Sequence, residues 1–187
     1  GDDLARFLQA YADNLENCAA SICKMAQLET GLPLNPRLLD VEMPRTINQL
    51  RQAADAAKDH SWRNPIHDHE NNIHSCLTPI GPVLVFGPNN FPLAFNAVAG
   101  GDFASAIAAG NPVIAKAHPS QPGTSKLLAE QALDAAQRTG MPDGIVQMLY
   151  DVDLNDGLKM VGDPRVAAVA FTGSRPGGTA LKAVADK

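Results

Sequence analysis

The sequence predicts an α/β fold in which helices flank a mainly parallel sheet, and three observations predict it. Short apolar runs at 83–86, 112–115, 145–149 and 166–171 alternate with helical stretches. That is the pattern of βαβ units joined by right-handed crossovers. Between Leu77 and Ala115 only Asp102 is charged, while five glycines and five prolines interrupt the apolar residues. Those breakers exclude a membrane helix and suit buried strands joined by tight turns. Composition agrees: of 187 residues, 45% are apolar and 19% charged, the balance of a globular chain that buries a core.

The first element is helical, with Leu4, Phe7, Leu8, Tyr11, Leu15, Ile22 and Met25 recurring at three- and four-residue steps. Gly31-Leu32-Pro33 breaks it, and the pattern resumes near Pro36 with Leu39, Met43, Ile47, Leu50, Ala54 and Ala57 as its apolar stripe. Residues 1–62 therefore form an N-terminal helical region. A polar stretch from Arg63 to Ser75 carries three of the five histidines, and 63–79 is read as an extended segment with an added edge strand around 73–79. Strand 83–86 leads into a helix over 92–109, and strand 112–115 into a helix over 122–139 with Ser120 as its N-cap. Strand 145–149, a short helix over 155–161, strand 166–171 and a last helix complete residues 80–187. This region is read as a partial, Rossmann-like dinucleotide-binding domain. The chain begins inside a helical pattern and its last helix carries no stop signal, so a piece of a longer protein is expected.

Charge and composition remove several function classes. With 15 Lys and Arg against 20 Asp and Glu, the net charge is −5, and no basic cluster could neutralise a row of phosphates. A nucleic-acid partner is not expected. The start, Gly1-Asp2-Asp3, lacks the basic-then-apolar layout of a signal peptide. No run approaches the roughly 18 apolar residues of a membrane span, so no membrane partner is expected. Three cysteines (Cys18, Cys23, Cys76) without a CxxC pair fit a reducing, cytoplasmic compartment.

The residues that carry chemistry sit where strands end. Val166 to Phe171 runs into Thr172-Gly173-Ser174-Arg175-Pro176-Gly177-Gly178 and then a helix. A strand, a glycine-rich turn and a helix N-terminus present backbone N–H groups and a positive dipole to a pyrophosphate. A tight structural turn needs the same glycines, and the run is neither GxGxxG nor the phosphate loop with its lysine. Asn90, after the first strand, either caps a helix or aims its amide at a developing oxyanion. Lys116, ending the next strand, is either a surface lysine or a donor to ribose hydroxyls.

Four segments in this order and spacing resemble the NAD(P)-dependent aldehyde dehydrogenase superfamily: Pro79-Ile80-Gly81-Pro82-Val83, Asn90-Phe91-Pro92-Leu93, Ala108-Ala109-Gly110-Asn111-Pro112-Val113 and Phe171-Thr172-Gly173-Ser174. Glu29-Thr30-Gly31 and the 42–50 stretch with Arg45 also fit. The run from Val85 to Phe95, Ala99-Gly100-Gly101-Asp102 and Lys116-Ala117-His118-Pro119 with Pro122-Gly123-Thr124-Ser125 is similar to a narrower branch, that of the α-ketoglutaric semialdehyde (2,5-dioxopentanoate) dehydrogenases. The resemblance implies that Asn90 helps hold the substrate oxyanion and that Lys116 binds the adenosine ribose. It implies that Gly173 and Ser174 open the cofactor loop and that Gly178 closes it. Pro119 falls where many NAD-preferring members place a glutamate. With no carboxylate there to repel a 2′-phosphate, and with His118 beside Lys116, the expected cofactor is NADP or NAD, with NADP tolerated.

The family mechanism uses a cysteine thiolate and a glutamate-activated water, both placed after the glycine loop. Neither Cys18, Cys23 nor Cys76 matches that nucleophile, and all three are expected to be small buried or half-buried residues. The chain alone is expected to lack aldehyde turnover, to bind cofactor weakly and to self-associate, and the full-length protein to be a homo-oligomer acting on a small aldehyde. A catalytically inactive nucleotide-binding module and a structural or oligomerisation remnant remain alternatives. His67, His69 and His74 have no further ligand pattern, so no metal site is assigned. His118 as a general base, and Asp102 as a carboxylate bonded within the helix after Pro92, complete the candidates.

Overall fold

A computed structural model describes residues 1–187, the side chain of Ser61 excepted. Helix α1 (Asp2–Thr30) ends on Gly31, whose φ of 70° lets its N–H close on the Gln27 carbonyl at 2.9 Å. A π-type segment, Leu34–Glu42, leads into α2 (Met43–Asp59). A hairpin follows, β1 (Ile66–Asp68) and β2 (Ile73–Ser75). The remaining elements alternate: β3 (Val83–Phe86), α3 (Gly101–Ala108), β4 (Val113–Lys116), α4 (Pro122–Arg138), β5 (Val146–Leu149), α5 (Leu154–Val161), β6 (Ala168–Phe171) and α6 (Arg175–Ala185).

β3 to β6 form one parallel sheet of order β5-β4-β3-β6. Side chains alternate across it, as period two requires. Val83, Val85, Val113 and Ala115 face a core shared with α1 to α4, which includes Phe7, Tyr11 and Phe103. Leu84 and Phe86 face the other way, packing with Val161, Leu181, Ile114, Val169 and Phe171 beneath α5 and α6. Three layers result, and the N-terminal helices share one continuous core with the sheet.

Three expectations need correction. The segment read as an edge strand over 73–79 does not join the sheet: β2 pairs with β1 alone, His67 standing opposite His74. The helix read over 92–109 is confined to α3, preceded by turns over 92–99. The Val98 N–H, which a helix would bond internally, goes to Asn96 Oδ1 at 3.1 Å, while the Leu93 and Ala94 N–H groups go to Glu42 Oε1 at 2.8 and 3.0 Å. Ser120 is not the cap of α4; Gln121 holds that position without a side-chain cap. The reason lies on α1. Glu29 accepts from Gly123 N–H, Thr124 N–H and Thr124 Oγ1, each at 2.7 Å, satisfying the first-turn donors from outside the helix.

Removing that carboxylate strands buried donors, so Glu29→Ala is expected to cost about 3 kcal/mol. Chemical denaturation should show a lower midpoint with unchanged slope, and Glu29→Gln, which keeps an acceptor, should lose less. Equal stability of Glu29→Ala and wild type would contradict the capping role.

Candidate functional site

The register sets Phe86 level with Lys116 and Phe171, and Lys116 level with Leu149, so four strand ends form one rim. After β5 the chain passes β4 and β3 to lay down β6. Loops leaving β3 and β6 therefore diverge to opposite faces, opening a crevice at the carboxyl ends. A cavity of about 1020 Å³ occupies it. Asn90, Lys116, His118, Pro119, Gly173 and Ser174 all line this cavity. Gly178 lies one residue deeper in α6 and does not; Gly177 takes that place.

Ser174 is the N-cap of α6, its hydroxyl accepting from Gly177 N–H at 3.3 Å. Beneath the turn lies the ring of Phe171. A Cβ on Gly173 would fall 2.5 Å from Phe171 Cζ, and one on Gly177 3.1 Å from it. Packing over this ring therefore favours glycine at 173 before any ligand does, and leaves little room for a side chain at 177. Thr172 Oγ1 donates to Asp102 Oδ2 at 3.2 Å, tying the turn to the start of α3. Asp102 thus bonds across to the glycine turn rather than within its own helix.

Lys116 is half-buried, and burial holds its pKa below the ordinary lysine value. His118 is held below the ordinary histidine value first by burial and then by the Lys116 charge. Its Nδ1 accepts from Ser120 N–H at 3.1 Å, so the neutral ring carries its proton on Nε2. Lys116, His118 and Ser174 are thus the groups able to hold an anionic cofactor. The Asn90 side chain has no hydrogen bond among the described residues, whereas its carbonyl accepts from Arg37 Nη2 at 3.0 Å.

Sequence reasoning missed the wall supplied by the start of α5. Val152, Asp153, Leu154 and Gly157 line the cavity, and Asp153 caps α5 by accepting from Asp156 N–H at 2.7 Å. Asp153 is the only carboxylate among the described lining residues. It occupies the α5 dipole end and leaves α6 as the helix start suited to a phosphate. The signal was present, since the strand read over 145–149 ends at the same rim.

The other candidates lie elsewhere. His67 and His74 meet through their Nδ1 atoms on the exposed hairpin, and among the described residues no group of three or more potential ligands is assembled. Cys23 is buried, its thiol pushed up to about 11 by burial, with Glu42 and Asp40 adding to the effect. Cys76 corrects the expectation of burial: it is exposed, with Arg63 Nη2 3.5 Å from its sulfur. None of the three cysteines lines the cavity. No helix among the described residues is long and apolar enough to cross a membrane.

Comparison with known proteins places this arrangement. The aldehyde dehydrogenase family model matches residues 2–187. Alpha-ketoglutaric semialdehyde dehydrogenase 2 of Azospirillum brasilense is 41% identical, over 97% of this chain and 36% of that protein. Alpha-ketoglutaric semialdehyde dehydrogenase of Acinetobacter baylyi is 35% identical, over 95% of this chain and 34% of that one. PnpE of Pseudomonas sp. WBC-3, solved in complex with nicotinamide adenine dinucleotide, superposes with a TM-score of 0.84 at 25% identity, over 99% of this chain and 36% of its own. The chain thus spans about a third of the length of the relatives it matches. It belongs to the aldehyde dehydrogenase family.

Proposed function

We propose that this chain supplies the cofactor-holding region and the oxyanion amide of an NAD(P)-dependent aldehyde dehydrogenase whose thiol nucleophile lies elsewhere in the full-length protein. The observation that carries the reading is the convergence of Asn90, Lys116 and Ser174 on one cavity at the strand ends. The donor set fits a dinucleotide. Ser174 and the α6 N-terminus face a pyrophosphate, Lys116 the ribose hydroxyls, and Leu158 and Leu181 offer apolar wall between α5 and α6. A bound nicotinamide would supply the hydride acceptor, and the aldehyde, gaining an oxygen from water, would leave as a carboxylate. Asn90 donates its amide N–H to the negative oxygen as charge develops there. Identity with the two semialdehyde dehydrogenases favours a short aldehyde that bears a carboxylate.

A homo-oligomer is part of the proposal. Ile66 and Ile73 stand 56% and 58% exposed on the hairpin, a natural surface for self-association.

The 2′-phosphate choice has a pH signature. A bound phosphate favours protonated His118, whose free value lies below the ordinary 6.5. Binding NADP therefore takes up a proton, and its affinity rises as pH falls; NAD lacks the group and shows no such rise. From about pH 8 to about pH 6.5, the Kd ratio of NAD to NADP in the full-length protein is expected to grow several-fold. In His118→Gln the ratio should stay flat. A flat wild-type ratio would exclude His118 from phosphate recognition.

A further inference from the structure

We infer that Arg37 and Glu42 are positioning residues that set the orientation of the Asn90 amide. The inference rests on the reading of Asn90 as an oxyanion donor and adds what aims it.

Asn90 sits in a glycine- and proline-bounded loop, exposed, with no bond to its own side chain among the described residues. Its direction is therefore set by the backbone of 90–94. That backbone is gripped by one carboxylate, Glu42, only 1% exposed. Glu42 Oε1 accepts from Leu93 and Ala94 N–H at 2.8 and 3.0 Å. Its Oε2 accepts from Arg37 Nη1, and Arg37 Nη2 donates to the Asn90 carbonyl at 3.0 Å. The guanidinium carbon also stands 4.3 Å from the centroid of the Phe91 ring, which lines the cavity. Three successive parts of the loop are thus fixed by a single ion pair: the Asn90 carbonyl, the Phe91 ring and the Leu93–Ala94 amides.

The chemistry of the pair explains the residue types. A guanidinium presents N–H groups in a rigid plane, so it can bond Glu42 and the Asn90 carbonyl together while its face covers an aromatic ring. Lysine offers one nitrogen and no face. A buried carboxylate is stable here because both its oxygens accept hydrogen bonds, one of them from a guanidinium.

The test uses the full-length protein, with aldehyde turnover and cofactor Kd measured on each variant. Arg37→Met, and Arg37→Lys, which keeps the charge beside Glu42, are both expected to lower kcat about tenfold or more. Cofactor Kd should stay within about twofold, which a general loss of structure would not allow. The double variant Arg37→Met with Asn90→Ala should match Asn90→Ala alone, because an amide that is gone cannot be misaimed. Arg37 variants with kcat within about twofold of wild type, or a double variant whose losses multiply, would overturn the inference while leaving the functional reading intact. A wild-type protein without turnover, or an Asn90→Ala variant that retains it, would overturn the functional reading and this inference with it.

Discussion

In the full-length protein, Asn90→Ala is expected to lower kcat by about 10²–10³-fold while leaving cofactor Kd unchanged. The size follows from what the amide does. On the proposed reading it is a donor at the mouth of the crevice, where Phe86, Phe91 and Phe171 line the wall and raise the worth of each polar contact. A donor aimed at charge present mainly in the transition state acts on kcat rather than on ground-state binding. Asn90→Asp is the sharper control, because it keeps the shape and replaces a donor with an acceptor. Steady-state kinetics on both variants, beside fluorescence titration of the reduced cofactor, decide the matter. Loss confined to KM would show a binding role instead.

Lys116→Met should weaken cofactor binding about 10–100-fold, the range of a charge-assisted hydrogen bond at a half-buried site. The substitution keeps most of the apolar stem and deletes the ammonium. A second readout is built into the site. Lys116 is one of the two causes that hold His118 below its ordinary value, burial being the larger. Deleting the ammonium should therefore raise the His118 pKa, visible in a proton NMR titration of its ring. Unchanged affinity with a raised His118 pKa would mean that the lysine lines the crevice without touching the ligand.

Much of this site was legible in the sequence because strand ends are. Val83 to Phe86, bounded by Pro82 and Gly87, reads as a short buried strand, and β3 occupies those residues. With four strands parallel, Asn90, Lys116 and Ser174 had to fall at one edge, and the cavity holds all three. What escaped were interactions across long sequence separations. Periodicity over 92–109 matched a helix, yet residues 92–99 form turns, with the amides of Leu93 and Ala94 held by Glu42, some fifty residues upstream. Local capping rules pointed to Ser120, yet Glu29 reaches from α1 to do that work. The glycine turn was read as a phosphate cradle or a tight structural turn; the Phe171 ring packed against Gly173 and Gly177 was not foreseen, because its place beneath them appears only in three dimensions. Asp153 escaped for a simpler reason: an Asx cap after a strand looks the same on a bare surface as on a cavity wall.

The central claim is that the crevice between β3 and β6 grips a dinucleotide, and a crystal structure of the full-length protein soaked with NADP tests it most directly. The expected result puts the pyrophosphate at the α6 N-terminus beside Ser174, a ribose hydroxyl on Lys116 and the 2′-phosphate within hydrogen-bond reach of His118. A dinucleotide seated elsewhere, or in this crevice with both Lys116 and Ser174 out of reach, would contradict it.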